Sequence, residues 1–220
     1  RKSIHRLIES RWKIIFTIRK QYRNGFLNAI LDGVSTSEFC IDNIDETDLK
    51  SLSHNYDFEL PSNNNLCSLL CNLFYLKLYL ELLSSGISVP LDTKTFTNQI
   101  WKQVIRNDRQ RQNNMPIKRE AFIESVASSL LKNETYCYKV QASDDEQVIS
   151  LLEEQGIITP YNDDPELWVF SHDVYEEIIV NHIFDEKYDD GYELTQITDI
   201  FANSLRSRKM YRMWLETKLK

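Results

Sequence analysis

The sequence predicts a mainly α-helical chain that carries one small hairpin sheet and one isolated strand. Three observations lead there. Apolar residues recur at intervals of three and four over most of residues 66–132 and 145–215, the period of helices with one buried stripe. β-Branched and aromatic runs without that spacing occur only in short pieces, chiefly 12–19, 157–160 and 167–170. Glycine is scarce: Gly25, Gly33, Gly86, Gly156 and Gly191 are the only five, and no two lie within seven positions of each other. That spacing excludes phosphate-cradling loops of the G-x-x-x-x-G-K-[ST] and G-x-G-x-x-G kinds from these 220 residues.

Taken in order, Ile4, Leu7 and Ile8 give residues 3–10 a helical period. Residues 12–19 (Trp-Lys-Ile-Ile-Phe-Thr-Ile-Arg) read as a strand buried on both faces. One strand cannot stand alone, so its sheet partners are expected upstream. Opening at Arg1 in mid-helix without a Met, the sequence reads as a piece cut from a longer protein. Tyr22 to Leu31 is a short helix, and Phe39 to Ile44 reads as a second short strand. A helix begins over Thr47 to Leu52, with Asp45 or Thr47 as its cap. The polar break Pro61-Ser62-Asn63-Asn64-Asn65 leads into one strongly apolar helix, 66–83, stopped by Ser84-Ser85-Gly86.

Thr95 is expected to cap a helix that contains Phe96, Ile100, Trp101, Val104 and Ile105. A polar, disorder-prone loop at 107–115 precedes a helix over 117–132, with Phe122, Ile123, Val126, Ala127, Leu130 and Leu131 as its stripe. Residues 136–140 are strand-like, and Asp144-Asp145-Glu146 opens a helix over 145–155 that stops at Gly156. The runs 157–160 and 167–170, joined by a turn at Asn162-Asp163-Asp164-Pro165, form a hairpin. Ser171-His172-Asp173 then caps a helix over 172–186, and one or two more helices fill 193–220. Helix, helix, short strand, helix and hairpin is the order of a winged-helix domain.

Charge and cysteine narrow the function classes. The net charge is −7 and the pI about 5.2. Residues 1–25 hold eight Lys and Arg against one acid, Glu9, whereas 142–190 hold fifteen acids against one base, Lys187. The acidic stretch repels a phosphate backbone, so nucleic-acid binding is disfavoured there. Cys67 and Cys71 share a helical face without further ligands at zinc spacing, and Cys40 and Cys137 are isolated, so reduced thiols in a cytoplasmic protein are expected. The stretch 66–83 is interrupted by Ser68, Asn72, Lys77 and Glu81, which reads as a core helix rather than a membrane span.

Four stretches together resemble the second half of a STAND-type P-loop NTPase of the NACHT or NB-ARC branch. Thr17-Ile18-Arg19, at the end of its strand, is similar to that family's Thr-x-Arg sensor-1 element, whose arginine faces the terminal phosphate. Leu69 to Leu76 resembles the lid-helix motif beside the adenine, with Leu73 or Phe74 standing where the family carries proline; the stretch reads as a core helix of the lid. Leu151-Leu152-Glu153-Glu154-Gln155-Gly156-Ile157-Ile158 is similar to the family's lead into the wing. Phe170-Ser171-His172-Asp173 resembles its Met-His-Asp element, with Ser171 in the methionine place. In the family that histidine contacts the β-phosphate of ADP and the aspartate orients the turn.

The resemblance implies a mainly α architecture: a helical lid bundle plus a winged-helix domain, with a remnant α/β edge of a P-loop NTPase core. The corresponding divisions are core 1–60, lid 61–91, winged helix 92–190 and the start of a sensor region at 191–220. It implies nucleotide contacts from His172, Arg19, Thr17 and Asp173 to ATP or ADP, with Mg²⁺ supplied by the upstream half. The chain alone is expected neither to hold nucleotide tightly nor to hydrolyse it. Implied partners are the upstream P-loop domain, the downstream sensor and further copies on activation, in defence or stress signalling. The alternative is a winged-helix module that binds a protein, less readily DNA, because the helix over 145–155 carries acids and no Lys or Arg.

Other chemistries are disfavoured by spacing. Consecutive Ser171-His172-Asp173 diverge at a helix start and are not a catalytic triad. His5, His54, His172 and His182 are scattered, and no carboxylate pair stands in metal spacing with them. Glu153-Glu154 and Glu176-Glu177 read as surface charges, and Trp101, Tyr136, Tyr138 and Trp168 as core.

Overall fold

A computed structural model describes residues 37, 43–132, 135–201 and 204–218. The chain divides into two compact units, Arg1–Asp42 and Asn43–Lys220. The elements expected over 3–31, with Thr17 and Arg19 among them, lie outside the described residues, as do 39–42 of the strand expected over 39–44; residues 43 and 44 are not in a strand.

The second unit is mainly helical, as expected. Helix α1 (Glu46–Tyr56) is capped by Asp45, whose carboxylate accepts the Asp48 N–H at 2.7 Å. Helix α2 (Asn64–Leu70) is capped by Asn63 in the same way. The single helix expected over 66–83 is two helices. At Cys71-Asn72 the axis turns by 110° into α3 (Leu73–Ser84). The Asn72 side chain accepts the N–H groups of Phe74 at 3.0 Å and Tyr75 at 3.4 Å, which satisfies donors that a new helix start leaves orphaned. Helical geometry explains the break. At about 100° per residue, a straight helix would aim Leu66 and Leu70 roughly opposite to Tyr75, Leu78, Tyr79 and Leu82. All six are buried in one core, so the axis must turn between the two groups. Asn72→Ala is expected to cost about 1 kcal/mol, seen as a lower denaturant midpoint at an unchanged slope.

Helix α4 (Thr93–Ile100) is capped by Asp92, which accepts the Thr95 N–H at 2.7 Å; Thr95 is the third residue of the helix and not its cap. It runs on into a π-helical turn, Trp101–Ile105. A 3₁₀ turn (Gln112–Asn114) leads into α5 (Met115–Lys132).

Strand β1 (Tyr138–Lys139), helix α6 (Glu146–Glu154), strand β2 (Ile158–Tyr161) and strand β3 (Asp164–Phe170) follow. They form an antiparallel sheet in the order β1-β3-β2, with Tyr138 opposite Trp168 and Ile158 opposite Phe170. The hairpin turn is shorter than expected: Asn162 and Asp163 alone make it, both at positive φ (55° and 59°), and Asp164-Pro165 already belong to β3. Pro160 lies in β2, at the sheet edge, where a missing N–H is tolerated.

Helix α7 (Asp173–Asp189) leaves the end of β3, and α8 (Leu194–Phe201) and α9 (Leu205–Lys218) close the unit. One continuous core runs from Leu49 to Trp214 through Phe96, Ile123, Leu152 and Phe184. Trp101, Tyr138 and Trp168 lie in it as expected, but Tyr136 does not: it is 69% exposed. No single helix among the described residues is long and apolar enough to cross a membrane.

Candidate functional site

The turn between β3 and α7 is built by local hydrogen bonds. Ser171 N–H donates to Ile157 O at 3.0 Å, and the Ser171 hydroxyl donates to Gly156 O, tying the exit of β3 to the start of β2. His172 is extended (φ −144°) and is itself the helix cap: its Nδ1 accepts the Val174 N–H at 3.1 Å. An accepting Nδ1 puts the proton of the neutral imidazole on Nε2. Asp173 is the first helical residue, an exposed acid at the positive end of the dipole.

The imidazole lies flat on Phe74, with ring centroids 3.6 Å apart and planes 7° apart. Phe74 also meets Tyr175 edge-on at 5.3 Å. Next to this stack the Tyr75 hydroxyl donates to the Glu177 carboxylate. Burial pushes that carboxyl above its ordinary range, against the pull of the hydrogen bond and of Lys209. Because Phe74 belongs to the first turn of α3 and His172 caps α7, two positive helix ends lie in one neighbourhood. Of the residues the sequence singled out for nucleotide, His172 and Asp173 are placed here, and Thr17 and Arg19 fall outside the described residues. Phe74, expected as lid core, is half-buried and joins His172.

The pair Glu176-Glu177 corrects the sequence reading, because neither is a surface charge. Glu176 is 5% exposed and takes a two-pronged contact from Arg206, with Nε at 2.6 Å from Oε1. Adjacent residues diverge on a helix, but here both directions point into protein: one toward α9 and the other toward α3.

A second cluster joins α5 and α7. Glu120 and Glu124 stand one turn apart on α5, and His182 and Glu186 one turn apart on α7. One ligand atom from each lies within 4.8 Å of all the others. His182 Nε2 is 3.4 Å from Glu186 Oε1 and 4.0 Å from Glu120 Oε1. The ring is held against Trp101, centroids 3.8 Å apart. Arg106 Nε approaches Glu120 at 3.4 Å and Asp108 at 3.2 Å. Burial, followed by the carboxylates of Glu186 and Glu120, pushes the Glu124 carboxyl up to about 7. Burial pulls His182 below the ordinary histidine range, against Glu186 and Asp185. The sequence reading, which found no carboxylates in metal spacing with a histidine, missed both i,i+4 pairs; only the contact of α5 with α7 brings them together.

Neither a protein-family model nor a curated protein matches this sequence.

Proposed function

We propose that the chain is part of a STAND-type NTPase switch, in which residues 92–190 serve as the winged-helix domain, α2 and α3 as part of the lid, and His172 as the contact to the nucleotide phosphate. The observation that carries this reading is the Phe74–His172 stack. It joins the residue that the resemblance assigns to nucleotide to the helix start that it assigns to the lid. Two further features support it. The strand order β1-β3-β2, with α6 just before the hairpin, is the topology expected of a winged helix. Two helix N-termini beside an Nε2–H imidazole form a setting that favours an anion.

In this reading ADP holds the lid and the winged helix together through His172, with Asp173 orienting the turn; the resemblance separately implies nucleotide roles for Thr17 and Arg19 and Mg²⁺ from the upstream half. Exchange for ATP shifts the molecule to the open state, which oligomerises. The shift is limited by how differently the two states bind the nucleotide. DNA binding is not part of the proposal. Helix α6 presents Glu146, Glu153 and Glu154 to solvent and has no Lys or Arg, so it would meet a phosphate backbone with like charge.

The test is ADP affinity in a polypeptide extended upstream to the P-loop that this reading requires. His172→Ala is expected to weaken ADP about tenfold, or about 1.4 kcal/mol, close to the lower bound of about 1.5 kcal/mol for one hydrogen bond to a charged group. Residues 1–220 alone are expected to show no ATP turnover. Turnover by that chain, or unchanged ADP affinity in the variant, overturns the reading.

A further inference from the structure

We infer that Glu120, Glu124, His182 and Glu186 form a binding site for a divalent transition metal of the zinc class, which fastens α5 to α7. Two chelating pairs, each one helical turn apart, face each other across the contact of these helices. Four ligand atoms within 4.8 Å of one another stand near the spacing of a tetrahedral ligand set. A tetrahedral ion with bonds of about 2.0–2.2 Å needs only modest rotamer shifts to draw them in.

Two observations beyond the grouping point to a cation. The first is the state of His182. Its Nε2 atom is buried and makes no hydrogen bond among the described residues, although it faces Glu186 Oε1 at 3.4 Å. A buried polar nitrogen that ion-pair contacts reach without a hydrogen bond is costly, and a metal ion would satisfy it by coordination. Trp101 packs against the ring and helps to hold it in that orientation.

The second is the charge balance. Three carboxylates share this spot, and among the described residues the cations that act on them are Arg106, on Glu120, and Lys187, on Glu124. Arg106 touches Glu120 alone of the three and divides itself between Glu120 and Asp108. A divalent ion would balance the remaining negative charge where the side chains are only about one-fifth exposed for Glu120 and His182. The donor set selects the metal. An imidazole nitrogen with carboxylate oxygens suits Zn²⁺ or Mn²⁺ better than Ca²⁺ or Mg²⁺, which take oxygen ligands. The site needs no nucleotide and is independent of the reading given above.

The experiment uses the whole 220-residue chain freed of metal by a chelator. Zn²⁺ titrated in a calorimeter is expected to bind one-to-one with a Kd in the micromolar range or tighter and to raise Tm. Co²⁺ in its place is expected to give the visible absorption of a four-coordinate N/O site. His182→Asn and Glu124→Gln are each expected to weaken Zn²⁺ at least tenfold while circular dichroism stays unchanged. If one of them unfolds, the other still decides. The double variant Cys67→Ser, Cys71→Ser controls for thiol binding and is expected to bind Zn²⁺ as the parent does. Failure to bind at millimolar Zn²⁺, equal affinity in a folded His182→Asn or Glu124→Gln variant, or loss of binding only in the cysteine variant overturns the inference.

Discussion

Replacing Trp214 with alanine is expected to destabilise the second unit by about 3–5 kcal/mol, the range for removing a large aromatic side chain from a packed core. Trp214 is 1% exposed and is the main anchor by which α9 reaches the rest of the unit. Its ring meets Phe184 at 5.5 Å, Tyr211 at 5.6 Å and Tyr188 at 6.0 Å. Its indole N–H donates to Asp185 Oδ1 at 2.6 Å, and Lys218 Nζ reaches the same oxygen at 2.6 Å. Alanine removes the ring, opens a cavity between α7 and α9 and leaves Asp185 with the lysine alone. Trp214→Phe keeps most of the volume and loses the N–H, so it should cost about 1–2 kcal/mol. Urea unfolding of the two variants separates packing from hydrogen bonding. A loss below about 1 kcal/mol for alanine would mean that α9 does not depend on this contact.

The hairpin and its flanking helices were legible because their signals are local. Gly156 follows the cap of α6 at positive φ, Asn162-Asp163 supplies the two left-handed positions that a tight turn demands, and the runs on either side alternate. The His172 cap was legible for the same reason. The bend at Asn72 was present in the sequence as a conflict of direction between Leu66-Leu70 and the buried face of 75–82. An apolar count over 66–83 hides that conflict, because it ignores angle. Glu176 was unreadable in principle. Its partner Arg206 lies thirty residues away, and nothing local distinguishes a buried acid from a solvated one. Each half of the Glu120, Glu124, His182, Glu186 cluster obeyed the simplest spacing rule, but neither half is a site until α5 and α7 meet.

Arg119 shows the same gap between sequence and packing, and it sets the second large expectation: Arg119→Met should cost about 3–4 kcal/mol. The guanidinium is fully buried on α5. Its Nε donates to Ile105 O at 2.9 Å, and Nη2 donates to Val104 O at 3.1 Å and to Gln155 Oε1 at 2.8 Å. The first two acceptors are carbonyls at the end of the π-helical turn, where the helix dipole is negative and no further turn exists to receive them. Burial pulls the guanidinium down to about 10, so it still carries its charge at neutral pH. Methionine fills much of the volume and donates nothing. Two carbonyls would then be buried and unsatisfied, at about 1–3 kcal/mol each. Lysine has one compact ammonium and no fork, so it should recover only part of the loss. The damage should also travel. Gln155 ends α6, Gly156 follows it, and the Ser171 hydroxyl holds Gly156 O one residue before His172. Amide exchange at Ser171, whose N–H donates to Ile157 O, should therefore quicken in Arg119→Met more than at Phe74 or Tyr75, whose amides rest on Asn72. Uniform quickening at all three would instead mean that Arg119 supports the core as a whole and not the His172 turn in particular.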